Sequence, residues 1–292
     1  MKIMLTGGSG FIGKNFIETL GKKYEILAPT HKEIELIDEE AVDNYFKNKK
    51  FDVVIHSAVR PGHRAVKDSS NQLYNNTRMF FNLVRNSDKY NKMIFLSSGL
   101  VYDIRFYQPR MKEEYFGTHI PVDEGGFSKY IISKYIEKTD NILDLRPFSV
   151  FGKYENYTIR FISNAICKTL FNLPITIKQN RKFDFIFIDD LVKVIDYFIQ
   201  NEQKFKSYNV SPDKTIELYE IAKMVKKISE KDIKIIVKEK GMGVEYSGDN
   251  TRLKNEIKSM KFNSIDESIK KLYNWYKENA NLIKKEDLLY DK

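Results

Sequence analysis

The stretch Thr6-Gly7-Gly8-Ser9-Gly10-Phe11-Ile12-Gly13 decides the fold of this chain. It follows an apolar run at Lys2–Thr6, which predicts a buried strand, and it opens a helical pattern at Phe11–Leu20. Glycine is required at three points of such a turn: for tightness, for close approach of the backbone to a pyrophosphate, and for packing of the helix on the strand. The N-terminus of the helix then offers unpaired N–H groups to phosphates. The sequence therefore predicts a dinucleotide-binding turn, with these three points at Gly7, Gly10 and Gly13.

Strands and helices alternate over the first 150 residues. Apolar runs predict buried strands at Phe51–His56, Lys92–Ser97 and Ile142–Arg146, and the spacing of apolar residues predicts a helix over Ser128–Lys138. Such alternation implies right-handed βαβ crossovers and a parallel sheet. The sequence therefore predicts an α/β protein built on a Rossmann-type doubly wound parallel sheet.

The pattern loosens after Pro147, where shorter strands mix with amphipathic helices. We expect a dinucleotide-binding domain over residues 1–152, which residues from about 184 to 210 rejoin. A smaller C-terminal α/β lobe, mainly residues 153–292, is expected to bind the substrate.

Composition narrows the class of protein. Lys and Arg total 49 against 40 Asp and Glu, a formal charge of +9 over 292 residues. The basic residues are mostly lysines, scattered among acidic residues, which favours a solvated surface over a nucleic-acid interface. A single cysteine excludes an internal disulfide and, with no apolar run of ~18 residues, indicates a cytoplasmic protein without a membrane span. Four scattered histidines and one cysteine give no metal-ligand spacing.

The segment after the second predicted strand bears on the choice of cofactor. An acidic residue there would hydrogen-bond a ribose 2′-OH and repel a 2′-phosphate. The sequence instead has Thr30-His31-Lys32, whose hydroxyl, imidazole and ammonium groups suit a 2′-phosphate. NADP(H) is therefore the preferred cofactor. NAD(H) stays possible because Glu33 and Glu35 lie close by.

Several segments along the chain resemble the extended short-chain dehydrogenase/reductase family that modifies nucleotide sugars. The residues from Thr30 to Val42 and from Met111 to Tyr115 are most similar to the branch of GDP-L-fucose synthases and 4-ketoreductases. The segments that carry the resemblance are TGGSGFIG from Thr6, DVVIHSA from Asp52, SSGLVY from Ser97, LRPFSVFG from Leu145, FIFIDDL from Phe185 and YNV from Tyr208.

The resemblance implies a nucleotide-diphosphate sugar as substrate and a homodimer as the assembly. Together with the residues of the glycine turn and with His31 and Lys32, the expected cofactor contacts are Gly7, Gly10, Phe11, Ile12, Gly13, His31, Lys32, Ser57, Ala58, Asn76 and Lys129. The substrate contacts that the resemblance implies, with Ser149 at the position of a family asparagine, are Ser149, Arg181, Lys182 and Arg252.

The family uses a serine, a tyrosine and a lysine for catalysis, and the resemblance assigns the serine to Ser98. Two registers exist for the other two residues. Tyr130 and Lys134 have the i, i+4 spacing that places two side chains on one helix face. In the alternative register, Gly-Phe-Ser-Lys ending at Lys129 matches the end of the family's "YGxSK", which puts Gly125 at the tyrosine position.

Departures from the family pattern reduce the number of reactions that the resemblance leaves open. Gly99 and Leu100 replace the Asp-Glu pair of the dehydratases, and Leu100 also replaces the cysteine of C3/C5 epimerisation. Ketone reduction at C4 of the sugar therefore becomes the first hypothesis. A 4-epimerase with tightly held NAD is the second, and a non-catalytic dinucleotide-binding relative without the tyrosine is the third. His63 and His119 lie in loops near the expected site.

Overall fold

The computed structural model describes residues 1–60 and 71–289. The strands are β1 (Lys2–Thr6), β2 (Glu25–Leu27), β3 (Phe51–His56), β4 (Tyr90–Leu96), β5 (Ile142–Pro147), β6 (Ser149–Phe151), β7 (Ile175–Asn180), β8 (Lys182–Phe183), β9 (Phe185–Phe187), β10 (Ser207–Val210), β11 (Ile216–Glu217) and β12 (Ile235–Met242). The α-helices are α1 (Phe11–Leu20), α2 (Glu39–Phe46), α3 (Gln72–Val84), α4 (Glu124–Ile136), α5 (Phe161–Leu170), α6 (Ile188–Gln200), α7 (Leu218–Ser229), α8 (Thr251–Glu256) and α9 (Ile265–Glu278).

Six parallel strands form the central sheet, in the order β10-β5-β4-β3-β1-β2. The chain runs outward from β1 to β2 and then returns to the other side of β1 for β3, so the winding reverses between β1 and β3. In open α/β sheets, ligands bind at the carboxyl ends of the strands beside such a reversal. The predicted α/β class and doubly wound parallel sheet are confirmed.

Apolar side chains cover both faces of this sheet. Alternate residues of β1 enter different clusters: Ile3 and Leu5 pack with α1 and α6, whereas Met4 packs with α2, α3 and α4. The first cluster continues without interruption into α5, α7 and α9, so one core joins the sheet to the C-terminal elements. Packed apolar side chains therefore stabilise both faces of the sheet at the edge that carries the glycine turn.

The C-terminal elements add three two-stranded sheets. β7 pairs with β12 and β6 with β9 in parallel, and β8 pairs with β11 in antiparallel. Strand β12 has no counterpart among the sequence predictions, because almost all of its residues are exposed and no apolar alternation marks them. Among the described helices, none is long and apolar enough to cross a membrane.

Helix α4 begins four residues before the start at Ser128 that the sequence predicted. Asp123 caps it, because its carboxylate accepts a hydrogen bond from the Gly126 N–H at 2.8 Å. The two glycines of its first turn concealed this start, since glycine is a poor helix former. The earlier start places Gly125 inside the helix, one turn before Lys129.

Candidate active site

The glycine turn between β1 and α1 leaves no room for side chains at two of its positions. Gly7 has a φ of +75°, and a Cβ there would lie 2.7 Å from the backbone nitrogen of Ala58. A Cβ on Gly13 would lie 2.3 Å from the Gly7 carbonyl oxygen. The turn therefore keeps its backbone open at the carboxyl edge of β1, as a pyrophosphate cradle requires.

A cleft continues from this turn toward the end of β2. Its lining residues are Thr6, Gly7, Gly8, Ser9, Pro29, Thr30, His31, Ile34, Leu36 and Ala58. His31 is exposed, with its Nδ1 3.8 Å from a carboxylate oxygen of Glu35. The guanidinium of Arg60 lies 3.8 Å from the same carboxylate oxygen. Lys32, the residue after His31, is exposed. The imidazole of His31 and the guanidinium of Arg60 thus flank Glu35 at the end of the cleft next to β2.

Arg60 is a residue that sequence reasoning missed. It follows β3, far in sequence from the segment around His31, and only the pairing of β3 with β1 brings the two together. Its backbone N–H donates to the Asn76 side-chain oxygen at 2.8 Å, so Asn76 of α3 positions the loop after β3. Ser57 and Ala58 in that loop both contact Thr6: their N–H groups donate to its carbonyl and hydroxyl oxygens at 3.3 Å.

One row of side chains crosses the sheet just below its carboxyl edge. Thr6, His56, Phe95 and Asp144 are consecutive partners on β1, β3, β4 and β5. Burial, aided by the positive charge of Lys129, lowers the pKa of His56 to about 3. The imidazole is therefore neutral at physiological pH, and its Nδ1 is hydrogen-bonded to the Thr6 hydroxyl at 2.8 Å.

Lys129 projects from α4 onto this row. Its ammonium lies 5.5 Å from the centre of the Phe95 ring. Burial lowers the pKa of Lys129 to about 8, against the opposing attraction of Asp144. The lysine thus lies beneath the edge of the sheet where β4 ends and Ser98 begins the next turn.

Tyr130 and Lys134 lie on another side of α4. The Tyr130 ring packs on Phe116, with ring centres 5.2 Å apart. The Lys134 ammonium binds the Glu137 carboxylate at 3.0 Å, and its side chain is 40% exposed. The structure therefore separates the two registers in space: it brings Lys129 to the sheet edge and leaves Lys134 at the surface.

No phenol occupies the tyrosine position of the Lys129 register. A Cβ on Gly125 would lie 3.0 Å from the side-chain oxygen of Gln72 and 3.5 Å from that of Asp123. The Gln72 oxygen ends a flexible side chain that can shift, and the Asp123 oxygen is at an ordinary contact distance, so no backbone atom blocks a Cβ at this position.

Ser98 follows β4 and caps a short 3-10 turn at Gly99–Val101. Its hydroxyl oxygen accepts a hydrogen bond from the Leu100 N–H at 3.2 Å. The Tyr107 hydroxyl donates to the neighbouring Gly99 carbonyl at 2.6 Å. Ser98 therefore has a fixed backbone and a hydroxyl proton left to donate.

An aromatic wall, formed by Tyr107, Phe148 and Tyr246, faces the turn after Ser98 and was not predicted from the sequence. Tyr246 packs on Tyr107 and on Phe148, with ring centres 5.2 and 5.0 Å apart. A Cβ on Gly99 would lie within 2.6 Å of both Phe148 and Tyr246. These rings come from three distant segments, so no local motif could have predicted them.

The four substrate residues that the resemblance implies do not share a common set of neighbours. The Arg252 guanidinium donates to a carboxylate oxygen of Glu114 at 2.6 Å, so an internal ion pair already engages it. Arg181 lies beside Gly243, where a Cβ would be 2.9 Å from its Nε. Lys182 begins β8 and is exposed, and Ser149 begins β6 and is half-buried.

His63 lies outside the described residues, and His119 stacks on Phe106 with ring centres 3.8 Å apart. Over residues 1–60 and 71–289, no group of three or more His, Cys, Asp or Glu side chains is placed to hold a metal ion.

The fold and this edge of the sheet define a dinucleotide-binding α/β protein of the extended short-chain dehydrogenase/reductase type. A sequence model described as the NAD dependent epimerase/dehydratase family matches residues 3–211. The chain belongs to this family, which confirms the resemblance drawn from its motifs.

The names of several similar proteins include a nucleotide sugar. The chain is 25% identical over 252 residues to a GDP-L-colitose synthase of Yersinia pseudotuberculosis, covering 78% of this chain and 82% of the relative. A solved GDP-mannoheptose C4 reductase from Campylobacter jejuni, with NADP bound, superposes with a TM-score of 0.80 at 23% identity, covering 94% of this chain and 98% of the other. A UDP-glucose 4-epimerase from Thermotoga maritima superposes with a TM-score of 0.83 at 19% identity, covering 96% and 100%.

Family membership makes a nicotinamide dinucleotide the expected cofactor, and the residues present fit one. The turn at Gly7 and Gly13 is a cradle that a single Cβ would fill. The neutral His56 and the loop of Ser57 and Ala58 continue the same edge of the sheet. The chain is thus a member of a nucleotide-sugar enzyme family with its dinucleotide cradle formed.

Proposed function

We propose that this protein is an NADP(H)-dependent oxidoreductase that reduces the 4-keto group of a GDP-linked sugar. The observation that carries the proposal is the position of Lys129, whose ammonium lies 5.5 Å from the Phe95 ring centre, on the row of side chains just below the carboxyl edge of the sheet. The C4 reductase among similar structures and the GDP-sugar synthase among relatives support the substrate class.

Each part of the edge has a role in this reaction. Bound NADPH would supply the hydride. Gly7, Gly10 and the N-terminus of α1 would hold the pyrophosphate, and Lys129 would bind the ribose next to the nicotinamide. The Ser98 hydroxyl would donate a hydrogen bond to the sugar oxygen and stabilise the negative charge that develops there.

A direct assay tests this proposal. We expect the purified protein to oxidise NADPH in the presence of a GDP-4-keto-6-deoxyhexose, with one NADPH consumed per sugar reduced. Ser98→Ala should lower kcat by about tenfold to a hundredfold, because it removes one donor to the developing oxyanion. Interconversion of two GDP-sugars without net NADPH consumption would instead show a 4-epimerase.

The cofactor preference gives a separate prediction. His31→Asp should weaken NADPH binding at least about tenfold and change NADH binding less than threefold, because a carboxylate there repels a 2′-phosphate and accepts from a 2′-OH. Isothermal titration with each cofactor measures both dissociation constants. His119→Asp makes the same charge change on an exposed loop and should alter neither. Equal affinity of the unmodified protein for NADPH and NADH would contradict the preference.

Gly125 favours a second candidate function, a dinucleotide-binding relative that does not turn over sugars. This candidate predicts micromolar or tighter binding of NADPH with no oxidation of it by any 4-keto sugar nucleotide. The assay above therefore distinguishes the two candidates on the same protein.

We also propose a homodimer formed through α3 and α4. These helices pack on each other, and a groove of about 600 Å³ runs over their outer faces, lined by Leu73, Tyr74, Thr77, Phe81 and Ile131 among others. Tyr74→Glu, at a side chain 61% exposed, should convert the dimer to a monomer by light scattering. Val237→Glu on exposed β12 is the matched control, and an unchanged mass for Tyr74→Glu would contradict the proposed interface.

A further inference from the structure

The site holds a lysine and a serine but no phenol at residue 125, so reduction of a ketone needs another proton source. We propose that Lys129 itself supplies that proton to the sugar oxygen, through one water molecule beside Gly125, where the chain carries no side chain. This inference rests on the proposed reductase function. It assigns Lys129 the role that the family gives to a tyrosine.

The surroundings of Lys129 leave it as the available donor. His56, which faces it from β3, is neutral at physiological pH and hydrogen-bonded to Thr6. Asp144, which faces it from β5, accepts hydrogen bonds from Arg146 at 2.7 Å and from the Ser133 hydroxyl at 2.8 Å. Asp144 is thus engaged as an acceptor, and the guanidinium of Arg146 cannot release a proton near neutral pH.

The hydrogen bonding of the Lys129 ammonium also differs from that of Lys134. Over residues 1–60 and 71–289, no hydrogen bond joins its ammonium to another residue, whereas Lys134 is bound to Glu137. Burial brings the pKa of Lys129 to about 8, so the ammonium form predominates at neutral pH and can still release a proton. A general acid acts efficiently when its pKa lies near the working pH, either directly or through one water.

The step balances as follows. The carbonyl carbon of the sugar gains a hydride, and the electron pair of the broken C=O π bond moves to the oxygen. That oxygen takes a proton from the water, which takes one from the Lys129 ammonium. The products are the alcohol, oxidised cofactor and a neutral amine on Lys129, which regains a proton from solvent.

Lys129→Arg is the decisive variant, because arginine keeps the positive charge for the cofactor but cannot release a proton below pH 12. We expect kcat to fall at least about fiftyfold and the dissociation constant of NADPH to change less than about threefold. Lys138→Arg, in the exposed turn that follows α4, is the matched control and should keep the wild-type kcat.

Two pH measurements complete the test. An acid must be protonated to act, so kcat of the wild type should be constant below pH 7 and fall as the pH rises through about 8. Without cofactor or substrate, the lysine NMR resonance that Lys129→Arg removes should titrate with a midpoint near 8.

The possible failures are distinguishable. A wild type that binds NADPH but reduces no 4-keto sugar nucleotide rejects the reductase function and this inference with it. A wild type that turns over, beside a Lys129→Arg variant with more than half of its kcat, rejects the inference alone. Loss of turnover in Tyr107→Phe, Tyr130→Phe or Tyr246→Phe but not in Lys129→Arg would likewise overturn it, in favour of a phenol.

Discussion

Gly125→Tyr is expected to raise the kcat of ketone reduction at least about tenfold over the wild type. A phenol at this position would reach the sugar oxygen directly, with Lys129 one helical turn away to stabilise its anionic form. A positioned general acid contributes about 10²-fold to 10⁴-fold to a rate, and the wild type must work through a less direct route. The gain should appear in kcat and leave NADPH affinity little changed, because residue 125 takes no part in the phosphate cradle.

The helix should accept this tyrosine. The closest atom to a new Cβ is the side-chain oxygen of Gln72, at 3.0 Å, which can move by rotation about single bonds. The Asp123 oxygen, at 3.5 Å, is in ordinary contact and can keep its capping hydrogen bond to the Gly126 N–H. Glycine inside a helix costs about 1 kcal/mol relative to alanine, so a side chain at residue 125 also restores helix propensity. We therefore expect the variant to melt no lower than the wild type.

Gly125→Phe is the matched control, since it adds the same ring without the hydroxyl. It should fold as the tyrosine variant does and should give no gain in kcat. Equal kcat values for the tyrosine variant, the phenylalanine variant and the wild type, with NADPH still bound, would contradict the assignment of residue 125 to the tyrosine position.

The contrast between the two registers of α4 shows where sequence reasoning reaches its limit. Both registers place a lysine where an i, i+4 pair can form, and local spacing cannot say which helix face meets the sheet. Packing decides it: Ile132 and Ile136 enter the core, and Lys129 lies on the same side, above Phe95. The face of a helix is set by tertiary contacts that one sequence does not display.

The first βα unit shows the opposite case. The strand, the glycine turn and the first helix are consecutive in the chain, and each is specified by its own residues, so their positions follow from local pattern alone. The observed bounds of β1 and α1 match the predicted ones. Arg60, Tyr107 and Tyr246 could not be found in the same way, because their neighbours come from remote segments.

Gly13→Ala is expected to weaken NADPH binding at least about a hundredfold, which corresponds to about 2.7 kcal/mol. The new Cβ would lie 2.3 Å from the carbonyl oxygen of Gly7 and 2.6 Å from the Cα of Gly8. These are backbone atoms of the turn, so no side-chain rotation relieves the contact. The same Gly7 carbonyl accepts the Gly10 N–H at 3.0 Å, the bond that closes the turn, and moving it opens the phosphate cradle.

Gly10→Ala is expected to affect NADPH binding without affecting the stability of the unbound protein. Its Cβ would approach only the Gly7 carbonyl, at 3.2 Å, so the unbound protein should keep nearly its wild-type melting temperature. NADPH affinity should still fall, because position 10 is where the backbone is expected to approach the pyrophosphate. Gly13→Ala should lower both quantities, whereas Lys14→Ala, exposed on the next residue of α1, should lower neither. If Gly13→Ala bound NADPH within threefold of the wild type, the turn would yield to a Cβ, and the glycines would not be what holds the phosphate site open.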